Sequence, residues 1–103
     1  YYDIFLFLFD YYEKYRVEGD SMLPTLKDDD EILVKPPKNL RIGDVVVAKH
    51  PFRQTPIIKR ITEFSTCGKL FLSGDNPDES TDSRSFGEIA EKDVLGIVVC
   101  KLK

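Results

Sequence analysis

The feature that most constrains this chain is a succession of short β-branched runs, each closed within a few residues by glycine, proline or a polar turn. Residues 31–35 (EILVK) end at Pro36-Pro37, and residues 44–49 (DVVVAK) lie between Gly43 and Pro51. Residues 56–62, 69–73 and 95–100 repeat the pattern, separated by Asn39, Gly68 and the polar stretch 74–87. Val, Ile and aromatic side chains fit a pleated, half-buried surface, while Gly and Asn supply the backbone angles of tight turns. Beyond the N-terminal segment, only residues 89–92 invite a helical reading. A chain of 103 residues has room for one core, and its hydrophobic fraction of 42% suffices to fill it. The expected fold is therefore mainly β: a compact coiled sheet or barrel carrying a short N-terminal helix.

That helix is one of two readings of residues 3–15. The run Ile4-Phe5-Leu6-Phe7-Leu8-Phe9 sits between Asp3 and Asp10. It is far short of the ~20 apolar residues that a membrane-crossing helix requires, and it lacks the basic flank and small-residue cleavage site of a signal peptide. Either it packs as a short helix on the domain, which is the simpler reading, or residues 4–9 rest as an apolar foot on a membrane surface. The domain division is accordingly 1–16 for this segment and 17–103 for the body.

Charge and cysteine usage remove other classes. Fifteen Lys and Arg against eighteen Asp and Glu leave a net charge of -3, with no basic cluster interleaved with aromatics, so nucleic acid is not the expected partner. Cys67 and Cys100 lack metal-ligand spacing and read as free thiols of a reducing, cytoplasmic compartment. The acidic turn Lys27-Asp28-Asp29-Asp30-Glu31 lacks the ligand spacing of a cation loop and reads as a solvated turn. No metal or cofactor is expected.

Two residues carry candidate chemistry. Ser21 stands in Gly19-Asp20-Ser21-Met22-Leu23-Pro24, a constrained turn able to expose Oγ and aim the serine's own N–H at a developing oxyanion. Alone, it is one serine in a turn among many. Its base is sought next. His50 follows a strand with no orienting carboxylate nearby in sequence and reads as a surface loop residue. Lys59 lies among Ile57, Ile58 and Ile61, and desolvation there would favour the neutral amine that accepts a proton. The stretch 74–87 holds far more hydrogen-bonding capacity than a connection needs, and long loops in small domains are often functional.

These segments together resemble the type I signal peptidase family of serine proteases. Gly19-Asp20-Ser21-Met22-Leu23-Pro24-Thr25-Leu26 is similar to its nucleophile box, and Arg41-Ile42-Gly43-Asp44-Val45-Val46-Val47 to the strand box that follows. Ile57-Ile58-Lys59-Arg60-Ile61 is similar to its lysine box, and Gly74-Asp75-Asn76 with Ser80, Asp82-Ser83-Arg84 and Phe86-Gly87 to its last. Within that family, the phrases around residues 45–52 and 74–84 most resemble the short maturation proteases of nickel-type superoxide dismutase. The resemblance implies a Ser/Lys dyad of Ser21 and Lys59, with the Ser21 N–H serving the oxyanion. It also implies that Ser80 orients the lysine amine and that Asp82 pairs with Arg84 to hold the loop. Substrate would lie extended between Val17, Glu18, Gly19, Asp20 and Met22 on one side and Pro56, Ile57 and Ile58 on the other. The implied partner is the leader peptide of a precursor protein, nickel superoxide dismutase in the relatives.

Three departures qualify the resemblance. Gly19 stands where some relatives place an oxyanion-hole serine, residues 27–31 replace the usual Gly-Asp turn, and no membrane anchor typical of signal peptidases is present in these residues. The last suits a soluble maturation protease. Three alternatives remain in view. A membrane-associated signal peptidase would act on secretory peptides, and a non-catalytic β module would only bind peptides. A self-cleaving repressor of the SOS type shares Gly-Asp-Ser-Met, but it needs an Ala-Gly linker ahead of the serine that this chain does not contain.

Overall fold

The computed structural model describes residues 12–76, 78 and 87–102. Among them run six strands: β1 (Glu13–Arg16), β2 (Glu31–Lys35), β3 (Val45–Ala48), β4 (Ile57–Phe64), β5 (Leu70–Ser73) and β6 (Val94–Lys101). They form one antiparallel sheet in the order β1-β2-β6-β3-β4-β5. The fold is mainly β, as the short β-branched runs require.

Side-chain alternation along the central strand splits the interior in two. Val46 and Ala48 enter a cluster with Ile61, Leu70, Leu72, Ile89, Val94 and Ile97. Val47, between them on β3, enters a second cluster with Val17, Met22, Leu26, Ile32 and Val34. A strand buried on both faces has no room for the polar alternation of a half-exposed one, which is why residues 45–48 read as an unbroken apolar run.

β6 closes the structure by pairing with two partners. Val94, Gly96 and Ile97 lie against β3, and residues from Ile97 to Lys101 lie against β2. The register shifts between Leu33 and Val34, between Val47 and Ala48, and between Ile61 and Glu63. Such irregularities bend strands and increase their twist, so the sheet coils around its contents. Gly96 sits at the tightest crossing. A β-carbon there would collide with Val34 and come within 2.8 Å of the Lys35 carbonyl oxygen, so only glycine fits.

Two expectations are corrected. The short helix over residues 3–15 is not seen among the described residues: residues 13–16 form the edge strand β1, whose Tyr15 pairs with Ile32 of β2. Residues 3–11 lie outside the described residues, as do residues 4–9 of the membrane-foot reading. Residues 89–92 form no α-helix. Ile89 makes an isolated bridge to Leu70, and a single 3-10 turn follows at Glu91–Asp93.

Candidate active site

Ser21 is positioned by what surrounds it on the turn between β1 and β2. Met22 is buried at 1% exposure and Leu26 at 5%, so the turn is plugged into the second cluster by the residue next to the serine. The Leu26 N–H donates to the Met22 carbonyl at 2.9 Å and the Leu23 N–H to the Asp20 carbonyl at 3.2 Å. Gly19 adopts φ +84, which a β-carbon would strain, and this explains glycine two residues before the serine.

The acidic run 28–30 is the exposed turn expected at Asp28 and Asp29, and departs from it at Asp30, which is buried. Asp28 Oδ1 accepts the Gly19 N–H at 2.7 Å, fixing the approach to Ser21. Asp30 is buried at 4% exposure, where its Oδ2 accepts the Lys27 N–H at 2.9 Å. Asp29 occupies the left-handed region at φ 75, pairs with Arg16 and donates its N–H to the Val17 carbonyl. The Val17 N–H in turn reaches the Asp30 carbonyl at 2.8 Å. Carboxylates accepting backbone N–H groups make strong, charge-assisted bonds, and here they shape the loop.

A second set of anchors comes from far along the chain. The Asn76 N–H donates to the Ser21 carbonyl at 2.8 Å, and Asn76 Nδ2 donates to the Asp20 carbonyl at 3.0 Å. Beside it, the Asp75 carboxylate receives Nε and Nη2 of Arg60 at 2.8 and 2.7 Å and the hydroxyl of Thr25. Arg60 Nη1 also donates to the Gly43 carbonyl at 2.7 Å. The bidentate pair raises the Arg60 pKa, and the same hydrogen bonds hold the Asp75 carboxyl below its ordinary value against the opposing effect of burial. Arg60 follows Lys59 on β4, so this relay ties the lysine strand to the serine turn. Sequence reading gave Thr25, Arg60 and Asn76 no role in the site. The signal available was the excess hydrogen-bonding capacity of the stretch that opens at Gly74.

Lys59 is buried at 5% exposure. It pairs with Val46 across the sheet, and by strand alternation shares a side of β4 with Ile57 and Ile61 of the first cluster. Ser21 and Lys59 line one cleft of about 320 Å³. Val17, Glu18, Gly19, Asp20 and Met22 line the same cleft, as do Pro56, Ile57 and Ile58. Ser80, Asp82 and Arg84 lie outside the described residues.

His50 lies in the loop after β3, as expected from sequence, and is partly exposed where it lines the cleft with Lys59. Its Nδ1 accepts the Phe52 N–H at 2.9 Å. Burial lowers its pKa first, with the charges of Arg53 and Lys59 adding in the same direction. Nothing in the local sequence around Lys49-His50-Pro51 reveals its place on the cleft, because the cleft is lined jointly by the loop after β3 and by residues 15–22, which are distant in sequence. Among the described residues no group of His, Cys, Asp and Glu is arranged to hold a metal ion, and both Cys67 and Cys100 are exposed free thiols.

No curated protein matches the chain closely enough to count as a relative. The family model described as Peptidase S24-like matches residues 12–99, which span the serine turn, the lysine strand and most of β6, and the chain belongs to this family of serine peptidases.

Proposed function

We propose that the chain is an endopeptidase in which Ser21 is the nucleophile and Lys59 the general base. The observation that carries this reading is the single cleft lined by a serine on a pinned turn and by an almost fully buried lysine. Burial disfavours an ammonium, so a lysine there is suited to hold a neutral amine able to take the serine proton. Ser21 Oγ attacks the scissile carbonyl, and Lys59 accepts its proton. The Ser21 N–H stabilises the oxyanion, Gly19 offering no hydroxyl to help. Lys59 then passes the proton to the departing amine, and water, deprotonated in turn by Lys59, releases the acyl group. The family resemblance gives Ser80 the task of orienting the amine, and Asp82 and Arg84 that of bracing the loop.

The peptide lies extended between residues 17–20 and 56–58, using main-chain hydrogen bonds as an added strand. The substrate proposed is the N-terminal leader of a precursor protein, nickel superoxide dismutase by resemblance. The reaction belongs in the cytoplasm, with residues 4–9 available for peripheral membrane contact. Among the described residues no helix is long and apolar enough to cross a membrane.

The test is intact-mass analysis of a nickel superoxide dismutase precursor incubated with the protein, with Ser21→Ala and Lys59→Ala alongside. Cleavage at one bond, lost in both variants, is expected. Cleavage that survives in either variant refutes the dyad. A precursor left intact while a secretory signal peptide is cut replaces the substrate, and peptide binding without any cleavage leaves a binding module.

A further inference from the structure

The cleft is unevenly charged, and the groups responsible take no part in the chemistry proposed above. On the serine side, Glu18 and Asp20 are exposed and line the opening. Arg16, on the same segment, is already committed, with Nη1 on Asp29 at 2.9 Å and Nη2 on Glu31 at 3.1 Å. On the lysine side, every residue from 51 to 56 is exposed, and Arg53 lines the cleft. Among the described residues no salt bridge engages Arg53, Glu18 or Asp20. Arg53 is the exposed cation of that wall. The floor between the walls is apolar, formed by Met22, Val47 and Ile58.

We propose that Arg53 is a specificity-determining residue that receives an acidic side chain of the bound peptide, so that the preferred substrates carry Asp or Glu close to the bond cleaved. The proposal rests on the reading of the cleft as the peptide site. A guanidinium presents a fixed fork of donors that matches a carboxylate bidentately, which lysine cannot do. Opposite it, Glu18 and Asp20 repel an acid placed on their own side, so the same charges that attract in one orientation reject the other. The exposed position of Arg53 makes the effect one of selectivity rather than of raw affinity.

Two separate readouts test it. Decapeptides of Ala, Val and Gly, with Glu or Gln walked through every position, are titrated against the Ser21→Ala variant by fluorescence anisotropy. At one or more positions the Glu peptide is expected to bind about threefold more tightly than its Gln partner. Arg53→Ala closes that gap, Arg53→Glu turns it into a preference for Lys, and about 0.5 M salt narrows it. Equal binding of Glu and Gln peptides throughout, no binding by any of them, or a gap that persists in Arg53→Ala overturns the proposal. The same peptides are then offered to the unmutated protein, with products read by mass. Glu-selective binding without cleavage removes the peptidase reading and keeps Arg53, whereas cleavage indifferent to Glu removes Arg53 and keeps the peptidase.

Discussion

The two hydrophobic clusters do the same thermodynamic work by different constructions. The first is almost entirely strand: β3, β4, β5 and the start of β6 supply nearly all its buried side chains, and ladder hydrogen bonds set their positions. The second gathers β2 and one residue of β3 around the irregular segment that carries Val17, Met22 and Leu26. No ladder holds that segment. Asp28, Asp30 and Asn76 hold it instead, through bonds to its backbone. Lys59 rises from the strand-built cluster and Ser21 from the turn-built one. A strand places its side chain through neighbours that pair with it directly, whereas a turn depends on distant groups that must arrive correctly.

The largest effect expected separates chemistry from scaffold. Lys59→Ala and Ser21→Ala should each lower kcat/KM by a factor of ~10³ or more while leaving the far-UV circular dichroism spectrum unchanged. In the unmutated protein the rate should climb toward alkaline pH as the neutral amine becomes populated. A rate flat between about pH 5 and 9 would remove Lys59 as the base.

Next in size is a matched pair of cavities. Leu72→Ala in the first cluster and Met22→Ala in the second should each lower stability by about 2–5 kcal/mol, measured by urea unfolding. Their activities should part. Corrected for the folded fraction, Leu72→Ala keeps its kcat, because the Lys59 strand remains pinned by its ladders. Met22→Ala loses about tenfold or more, because the residue beside Ser21 no longer anchors its turn. Equal activity per folded molecule in the two variants would break the comparison.

A smaller effect probes the tie between the clusters. Asp75→Asn removes the carboxylate that joins Arg60 to Thr25. Because the folded pKa of Asp75 is depressed, its contribution is complete above its unfolded pKa and disappears as pH falls through the folded value. The melting temperature of the variant should therefore lie roughly 5 °C below the unmutated protein at neutral pH and converge with it under strongly acidic conditions. A deficit that stays constant as the pH falls would assign the loss to packing and not to the ion pair.

The same contrast explains what was legible in the sequence. β2 is legible to the residue, and β3 to β6 to within a residue or two, because β-branched runs and turn residues are local signals. β1 was missed: its sequence, EKYR, has no apolar run, and it is a strand only because β2 offers it an edge. The strand order escaped for the same reason, since β6 inserts between β2 and β3 from the far end of the chain. Within the site, Ser21 and Lys59 were visible as residue types in suggestive settings. Their supports were not, because Thr25 meets Asp75 across 50 residues and Asn76 meets Asp20 across 56. Such long-range contacts leave no periodicity to read. The place of His50 on the cleft is illegible for the same reason, since its neighbours there come from residues 15–22.

The smallest expected effect sharpens the comparison by testing which polar contacts of the serine turn matter. Arg16 pairs with both Asp29 and Glu31, yet its own side chain is 55% exposed and theirs are 76% and 42% exposed. Exposed pairs gain little over solvated charges and are further screened by salt. Arg16→Gln should therefore change stability by less than about 0.5 kcal/mol and leave kcat unaltered. Asp30→Asn is its counterpart, since that carboxylate is 4% exposed and carries the Lys27 N–H. Losing the charge from a buried, hydrogen-bonded acceptor should lower stability by about 1–3 kcal/mol, measured by the same urea titration. If Arg16→Gln proved the more damaging, the turn would be held from its solvent face. Its geometry would then rest on surface ion pairs, and the catalytic rate should fall as salt is added. If the order holds, stability should depend only weakly on salt, because the buried Asp30 carboxylate then outweighs the exposed Arg16 pairs.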